Sequence, residues 1–122
     1  MADVALEELR GRLGEQGLVL LDVRTPHEFS GAAGARCDPR HGHIPGARNV
    51  PLDRLIRCRS ADEVRALVEA PEGTEVLAYC HSGNRSGFAV PVLEAAGYEA
   101  RNYVGSWHEW SRHPGLPAES SV

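Results

Sequence analysis

Two short apolar runs limit what this chain can fold into. Leu18-Val19-Leu20-Leu21-Asp22-Val23 and Val76-Leu77-Ala78-Tyr79 are continuous rather than periodic, and both are too short for a surface helix. A run without polar alternation reads as a strand buried on both faces, and such strands lie in parallel sheets covered by helices. Helical signals fall between them. Leu6, Leu9 and Leu13 recur at helical spacing, with Asp3 as the expected N-cap and Gly14 and Gly17 ending the pattern. Pro26 can open a short helix at its first position. Ser60-Ala61-Asp62-Glu63 is a capping box followed by Val64, Leu67 and Val68 on one face, up to Pro71. Further strands are expected over 47–50, 75–79 and 99–103. A helix is expected over 88–96 and ended by Gly97, with Pro91 forcing a bend or a late start. Ser106 is the expected cap of a closing helix through Trp110. Strands alternating with helices predict an α/β domain, a mainly parallel central sheet flanked by helices.

The run at 76–79 delivers Cys80 to the loop Cys80-His81-Ser82-Gly83-Asn84-Arg85-Ser86. A strand ending in a short glycine-containing loop before a helix aims successive backbone N–H groups at one point, which stabilises an anion or a thiolate there. Arg85 adds a full positive charge. The thiolate is the reactive form of cysteine, and these surroundings lower the thiol pKa. A buried structural cysteine at a strand end is the plainer alternative, but it leaves Gly83 and Arg85 unexplained.

Length and charge exclude several classes. With 122 residues, 42% of them hydrophobic and 25% charged, the chain reads as one globular domain over 1–122, its core about 3–113 and 114–122 a loose tail. Three cysteines do not make a disulfide framework, so a reducing cytoplasm is expected. The N-terminus lacks a signal-peptide pattern and no apolar run reaches membrane-spanning length, so no membrane partner is expected. The 13 basic residues are all arginine, but the net charge is −4 and they do not cluster, which argues against nucleic acid.

Three ordered segments together resemble the rhodanese family of sulfurtransferases, particularly single-domain thiosulfate sulfurtransferases. The first is Leu21-Asp22-Val23-Arg24 with Glu28-Phe29, followed by Gly42-His43-Ile44-Pro45-Gly46-Ala47-Arg48-Asn49-Val50-Pro51. The second is the loop Cys80-x-x-Gly83-x-Arg85-Ser86, and the third is Tyr103-Val104-Gly105-Ser106-Trp107-His108-Glu109-Trp110. The stretch from Ala32 to His41 looks inserted relative to single-domain members. Tandem-domain sulfurtransferases carry a longer segment here, so the chain mixes features of both groups.

The resemblance implies a rhodanese-like fold and a two-step transfer. Cys80 takes the outer sulfur of a thiosulfate-like donor and passes it, from a persulfide, to a thiol, cyanide or protein acceptor. It implies that backbone amides from His81 to Arg85 stabilise the thiolate and the persulfide sulfur, with Ser82, Gly83, Asn84 and Ser86 among the substrate-binding residues. Arg85 attracts the donor, while His81 and Ser82 line the mouth. No metal or organic cofactor is implied. Asp22, Arg24 and Glu28 read as braces. Cys-loop phosphatases and arsenate reductases are rivals, but their loops place five residues between cysteine and arginine, against four here. A persulfide carrier or an interaction module for a protein partner is the other alternative.

Other residues carry blander readings. Cys37, His41 and His43 have a spacing a metal could use, but no fourth ligand is evident and a loop is preferred. Cys37 could also accept sulfur. Cys58 reads as a packed or surface thiol on a short helix. Trp107 and Trp110 read as one buried helix face. Asn84-Arg85-Ser86 matches a glycosylation acceptor, which the cytoplasmic reading makes a chance match.

Overall fold

The computed structural model describes residues 3–121. Met1, Ala2 and Val122, at the ends of the expected domain, lie outside them. The elements run α1 (Leu6–Arg12), β1 (Leu18–Asp22), α2 (Pro26–Ser30), β2 (Arg48–Asn49), α3 (Leu52–Ile56), α4 (Ala61–Val68), β3 (Glu75–Tyr79), α5 (Asn84–Ala95), β4 (Glu99–Asn102) and α6 (Ser106–Trp110). The strands form one four-stranded sheet in the order β2-β1-β3-β4, with every pairing parallel. The expected α/β class with a parallel central sheet is what forms.

The apolar runs work as the sequence suggests because a strand shows successive side chains to opposite faces. Val19 and Leu21 of β1 and Val76 and Ala78 of β3 point to one face, where Leu55, Val64, Val68, Ala89 and Leu93 of α3, α4 and α5 cover them. Leu20, Leu77 and Tyr79 point to the other, against Leu9 of α1 and Trp107 and Trp110 of α6. Both faces are therefore apolar, and alternation is absent from the sequence. Among the described residues, no helix is long and apolar enough to cross a membrane.

Several local expectations need correction. Asp3 does not cap α1; the N-cap is Ala5, which offers no side-chain bond. Val4 is extended instead, bridging Tyr103 and donating to Asn102 O at 2.9 Å, so the sheet edge claims the backbone that Asp3 would need. The Ser60 cap does form, with Ser60 Oγ accepting from Glu63 N–H at 3.2 Å. The reciprocal arm goes to Arg59 N–H instead of Ser60. A complete capping box appears where none was read, between Thr25 and Glu28 at the start of α2. Helix α5 starts four residues before the expected Phe88 and runs through Pro91. Gly87, whose carbonyl loses the Pro91 N–H, is exposed like Pro91 itself, so water can satisfy it. The described residues after Pro114 are packed rather than loose. Leu116 is buried, Trp110 Nε1 donates to Pro117 O at 2.7 Å, and Glu119 pairs with His43 through both backbone groups.

Candidate active site

In an open parallel sheet, ligands collect beyond the carboxyl ends of the strands where the chain reverses its direction of travel across the sheet. Here that point lies between β1 and β3, since the chain goes from β1 outward to β2, then returns to β3 and β4. Asp22 and Arg24 lie at the end of β1, and Cys80 follows β3. The topology alone thus brings two of the sequence motifs together.

Cys80 is almost fully buried, yet its Sγ is surrounded by donors. Gly83 N–H reaches it at 3.1 Å and Ser86 Oγ at 3.3 Å. Burial pushes the Cys80 thiol up, but the Ser86 hydroxyl and the N–H groups of Ser86, Ser82 and Gly83 outweigh it and hold the thiol below the ordinary cysteine range. Gly83 makes this curl possible. Its φ is 94°, and a Cβ there would stand 2.7 Å from Val104 O. Helix α5 begins at the next residue, Asn84, whose side chain is exposed. The helix N-terminus therefore points into the loop.

The loop is held from behind by α6. Trp107 N–H donates to Cys80 O and His108 N–H to His81 O, both at 2.9 Å. Ser106, read from sequence as a cap, is instead the first helical residue after Gly105 and is fully buried. Its φ of 55° is unusual for a residue with a side chain. That conformation lets Ser106 Oγ accept from Cys80 N–H at 3.0 Å and donate to Tyr103 O at 2.8 Å.

Arg85 does not stand alone. Its Nη1 and Nη2 donate to the two Glu28 carboxylate oxygens at 2.8 and 3.1 Å. Burial raises the Glu28 carboxyl, but Arg85 and Thr25 outweigh it and hold it down to about 2. The cation is thus set in place and still interacts electrostatically with Cys80. A cavity of about 300 Å³ opens beside it, lined by Val23, Thr25, Leu52 and Ile56 among others. Asp22 and Arg24 are buried together. Arg24 Nη2 donates to Asp22 at 2.7 Å and to Gly42 O at 2.6 Å, and its guanidinium lies over the Tyr79 and Trp107 rings.

The inserted stretch is part of the site's wall, which sequence patterning did not show. Asp38, with a fully buried side chain, accepts from His81 Nε2 at 2.9 Å and from Arg112 Nη1 at 2.9 Å. Arg40 Nη1 and Nη2 reach the carbonyls of Leu116 and His113 at 2.8 Å, while Trp107 Nε1 donates to Arg40 O at 3.0 Å. Ser82 is exposed at the mouth. The triple Cys37, His41 and His43 is not assembled as a metal site. His41 Nε2 bonds Ala35 O, and His43 stacks on Phe29 with ring centroids 3.7 Å apart. The donors that do gather are Cys37, Asp38, His81 and His108. The signal that could have found Asp38 is a lone acid in an arginine-rich loop, which carries no periodicity to single it out.

Comparison with known proteins places the chain in a family. The Rhodanese-like domain family model matches residues 5–113. A thiosulfate sulfurtransferase of Pseudomonas aeruginosa is 37% identical over 122 residues, covering 93% of this chain and 44% of that protein. A sulfur carrier protein of Thermus thermophilus is 36% identical, covering 80% of this chain and 40% of its own length. The chain spans less than half the length of these two curated relatives. The solved human single-domain sulfurtransferase has 32% identity and a TM-score of 0.68, with 94% of this chain and 99% of that one covered. On the match over residues 5–113, this chain belongs to the rhodanese-like domain family.

Proposed function

We propose that this chain is a sulfurtransferase in which Cys80 carries sulfane sulfur from a thiosulfate-like donor to a thiophilic acceptor. The observation that carries the reading is the set of donors around Cys80 Sγ, with Gly83 N–H at 3.1 Å and Ser86 Oγ at 3.3 Å. Donors placed this way favour the thiolate over the thiol, and the thiolate is the nucleophilic form of cysteine. In the first step the Cys80 thiolate attacks the outer sulfur of thiosulfate. The sulfur–sulfur bond of the donor breaks, sulfite leaves with the electron pair, and a Cys80 persulfide remains. In the second step an acceptor thiolate or cyanide attacks the outer persulfide sulfur and Cys80 leaves as thiolate. The same N–H groups stabilise negative charge at the start and end of each step, which is where preorganised dipoles are worth most.

Arg85 contributes a fixed positive charge beside the loop, and His81 and Ser82 border its entrance. The four residues between Cys80 and Arg85 suit one sulfur better than a tetrahedral phosphate, whose peripheral oxygens all need donors. Intact mass after incubation with thiosulfate should show one added sulfur, absent in Cys80→Ser. No adduct together with Cys80-dependent hydrolysis of an aryl phosphate would replace this reading with phosphatase chemistry.

A protein acceptor is the favoured second step. Phe88 on α5 is 70% exposed and Val104, which packs on Gly83, is 43% exposed. Apolar side chains left in water beside a reactive loop suit a docking partner, and a sulfur carrier protein is among the relatives. Phe88→Asp should slow transfer to a protein acceptor while leaving transfer to cyanide intact.

A further inference from the structure

The rim of the loop gathers four metal-competent side chains, of which only His81 also borders the sulfur-transfer site. Cys37 Sγ, an Asp38 carboxylate oxygen, and one ring nitrogen from each of His81 and His108 all lie within 4.8 Å of one another. Asp38 Oδ2 is 2.9 Å from His81 Nε2, and Oδ1 is 3.9 Å from both Cys37 Sγ and His108 Nδ1. Tetrahedral zinc, with bonds of about 2.3 Å to sulfur and about 2.0 Å to nitrogen or oxygen, places neighbouring donors roughly 3.3–3.6 Å apart. The group is therefore little more than about 1 Å from ligating distance. Cys37 and His108 are exposed, so their rotamers can close that gap without disturbing the core.

The donor chemistry and its support both suit a borderline-soft dication. One thiolate, one carboxylate and two imidazoles neutralise a double positive charge and match the ligands zinc and cobalt prefer. The Asp38 side chain is fully buried and already aimed at the group. Arg112 holds it there, donating Nη1 to Asp38 Oδ1 and Nη2 to Cys37 O, both at 2.9 Å. A hydrogen-bonded outer partner of this kind is what orients a ligating carboxylate. Cys80 Sγ is not a member, being committed to Gly83 and Ser86.

We propose that Cys37, Asp38, His81 and His108 form a binding site for a zinc-class divalent cation at the rim of the active-site loop. One ion there ties the inserted stretch, the loop and α6 together. The site stands independently of sulfur transfer, and either reading can fail without the other.

Cobalt(II) is the probe, titrated into the full chain and into its Cys80→Ser variant, which removes the catalytic sulfur as a competing ligand. Both should bind one equivalent, with a thiolate-to-cobalt charge-transfer band and the intense visible absorption of tetrahedral cobalt. Cys37→Ser should lose the charge-transfer band. Both Cys37→Ser and His108→Ala should weaken binding by at least about tenfold, the loss that even outer partners of metal ligands cause. In the unmodified chain, zinc should protect Cys37 from alkylation, read by peptide mass spectrometry, a measurement that needs no variant to fold. A charge-transfer band that survives Cys37→Ser but vanishes in Cys80→Ser would place the ion on the catalytic sulfur and overturn the proposal. Alkylation of Cys37 unchanged by zinc would overturn it equally.

Discussion

Adding one methyl group at Gly83 and one at Gly87, four residues apart on the same chain segment, should have opposite effects. At Gly83 the φ of 94° puts an L side chain in the left-handed region, which costs about 1–2 kcal/mol. The new Cβ would also stand 2.7 Å from Val104 O and 3.1 Å from Val104 Cγ1, and the neighbour at 2.7 Å is backbone. Overpacking of this kind costs about 1–3 kcal/mol, so Gly83→Ala should destabilise by about 2–5 kcal/mol in all. The shift that relieves the clash also moves the Gly83 N–H, a donor to Cys80 Sγ at 3.1 Å. A hydrogen bond to a charged group is worth about 1.5–3 kcal/mol, so transfer from thiosulfate should slow by about 10- to 150-fold. Gly87 lies inside α5, and the nearest atom to its Cβ would be Asn102 Nδ2 at 3.4 Å, an ordinary contact. Alanine is favoured over glycine in a helix interior by about 0.5–1 kcal/mol, so Gly87→Ala should stabilise by up to that amount. Urea unfolding with a shared slope gives both stabilities, and steady-state transfer to cyanide gives the rates. If Gly83→Ala lay within about 0.5 kcal/mol of the parent protein, or if the order of the two variants reversed, the account of the loop's curl would be wrong.

Three further outcomes are expected. Cys37→Ser and Cys58→Ser should each retain most sulfur transfer, because the donors to Cys80 Sγ are Gly83, Ser86 and Ser106 and neither thiol is one of them; an inactive Cys37→Ser protein would make the inserted stretch catalytic. The Glu28 carboxyl is held down to about 2 in the folded protein, below its unfolded value of about 4.3. A depressed carboxyl stabilises above its unfolded pKa and loses that contribution as pH falls through the folded one, so urea midpoints should drop between about pH 4 and 2. Glu28→Gln should flatten that window, and an unchanged profile would mean that the Arg85 pairing contributes nothing. Removing residues 115–122 deletes buried Leu116 and the Pro117 carbonyl that receives Trp110 Nε1. It should cost about 2–5 kcal/mol, comparable to a core truncation, and a truncated protein with unchanged stability would return the segment to a loose tail.

What the sequence by itself determined is local, or carried by a motif. Leu18 to Asp22 and Glu75 to Tyr79 are strands because their apolar runs are continuous, and that continuity also announces a sheet covered on both faces. Ser60 starts α4 because its cap lies three residues from its partner. The Cys80 loop could be singled out because cysteine, glycine and arginine sit within a few positions of one another. What only the tertiary structure decided are contacts between segments far apart in the chain. Asp38 joins His81 and Arg112 across separations of 43 and 74 residues, and no periodicity records such a meeting. Ser106 has the side chain of a good cap, but the fold spends its hydroxyl on Cys80 N–H because α6 ends up beside β3. Helix α5 starts at Asn84, before its apolar pattern does, since the donors that curl around Cys80 Sγ also begin the helix. Propensity acts over a few residues, whereas the site is built where the sheet's strand order brings separate chain segments to one crevice. The residues that reach that crevice from distant segments, Asp38 and Ser106 among them, therefore carry little sign of their role until the sheet is assembled.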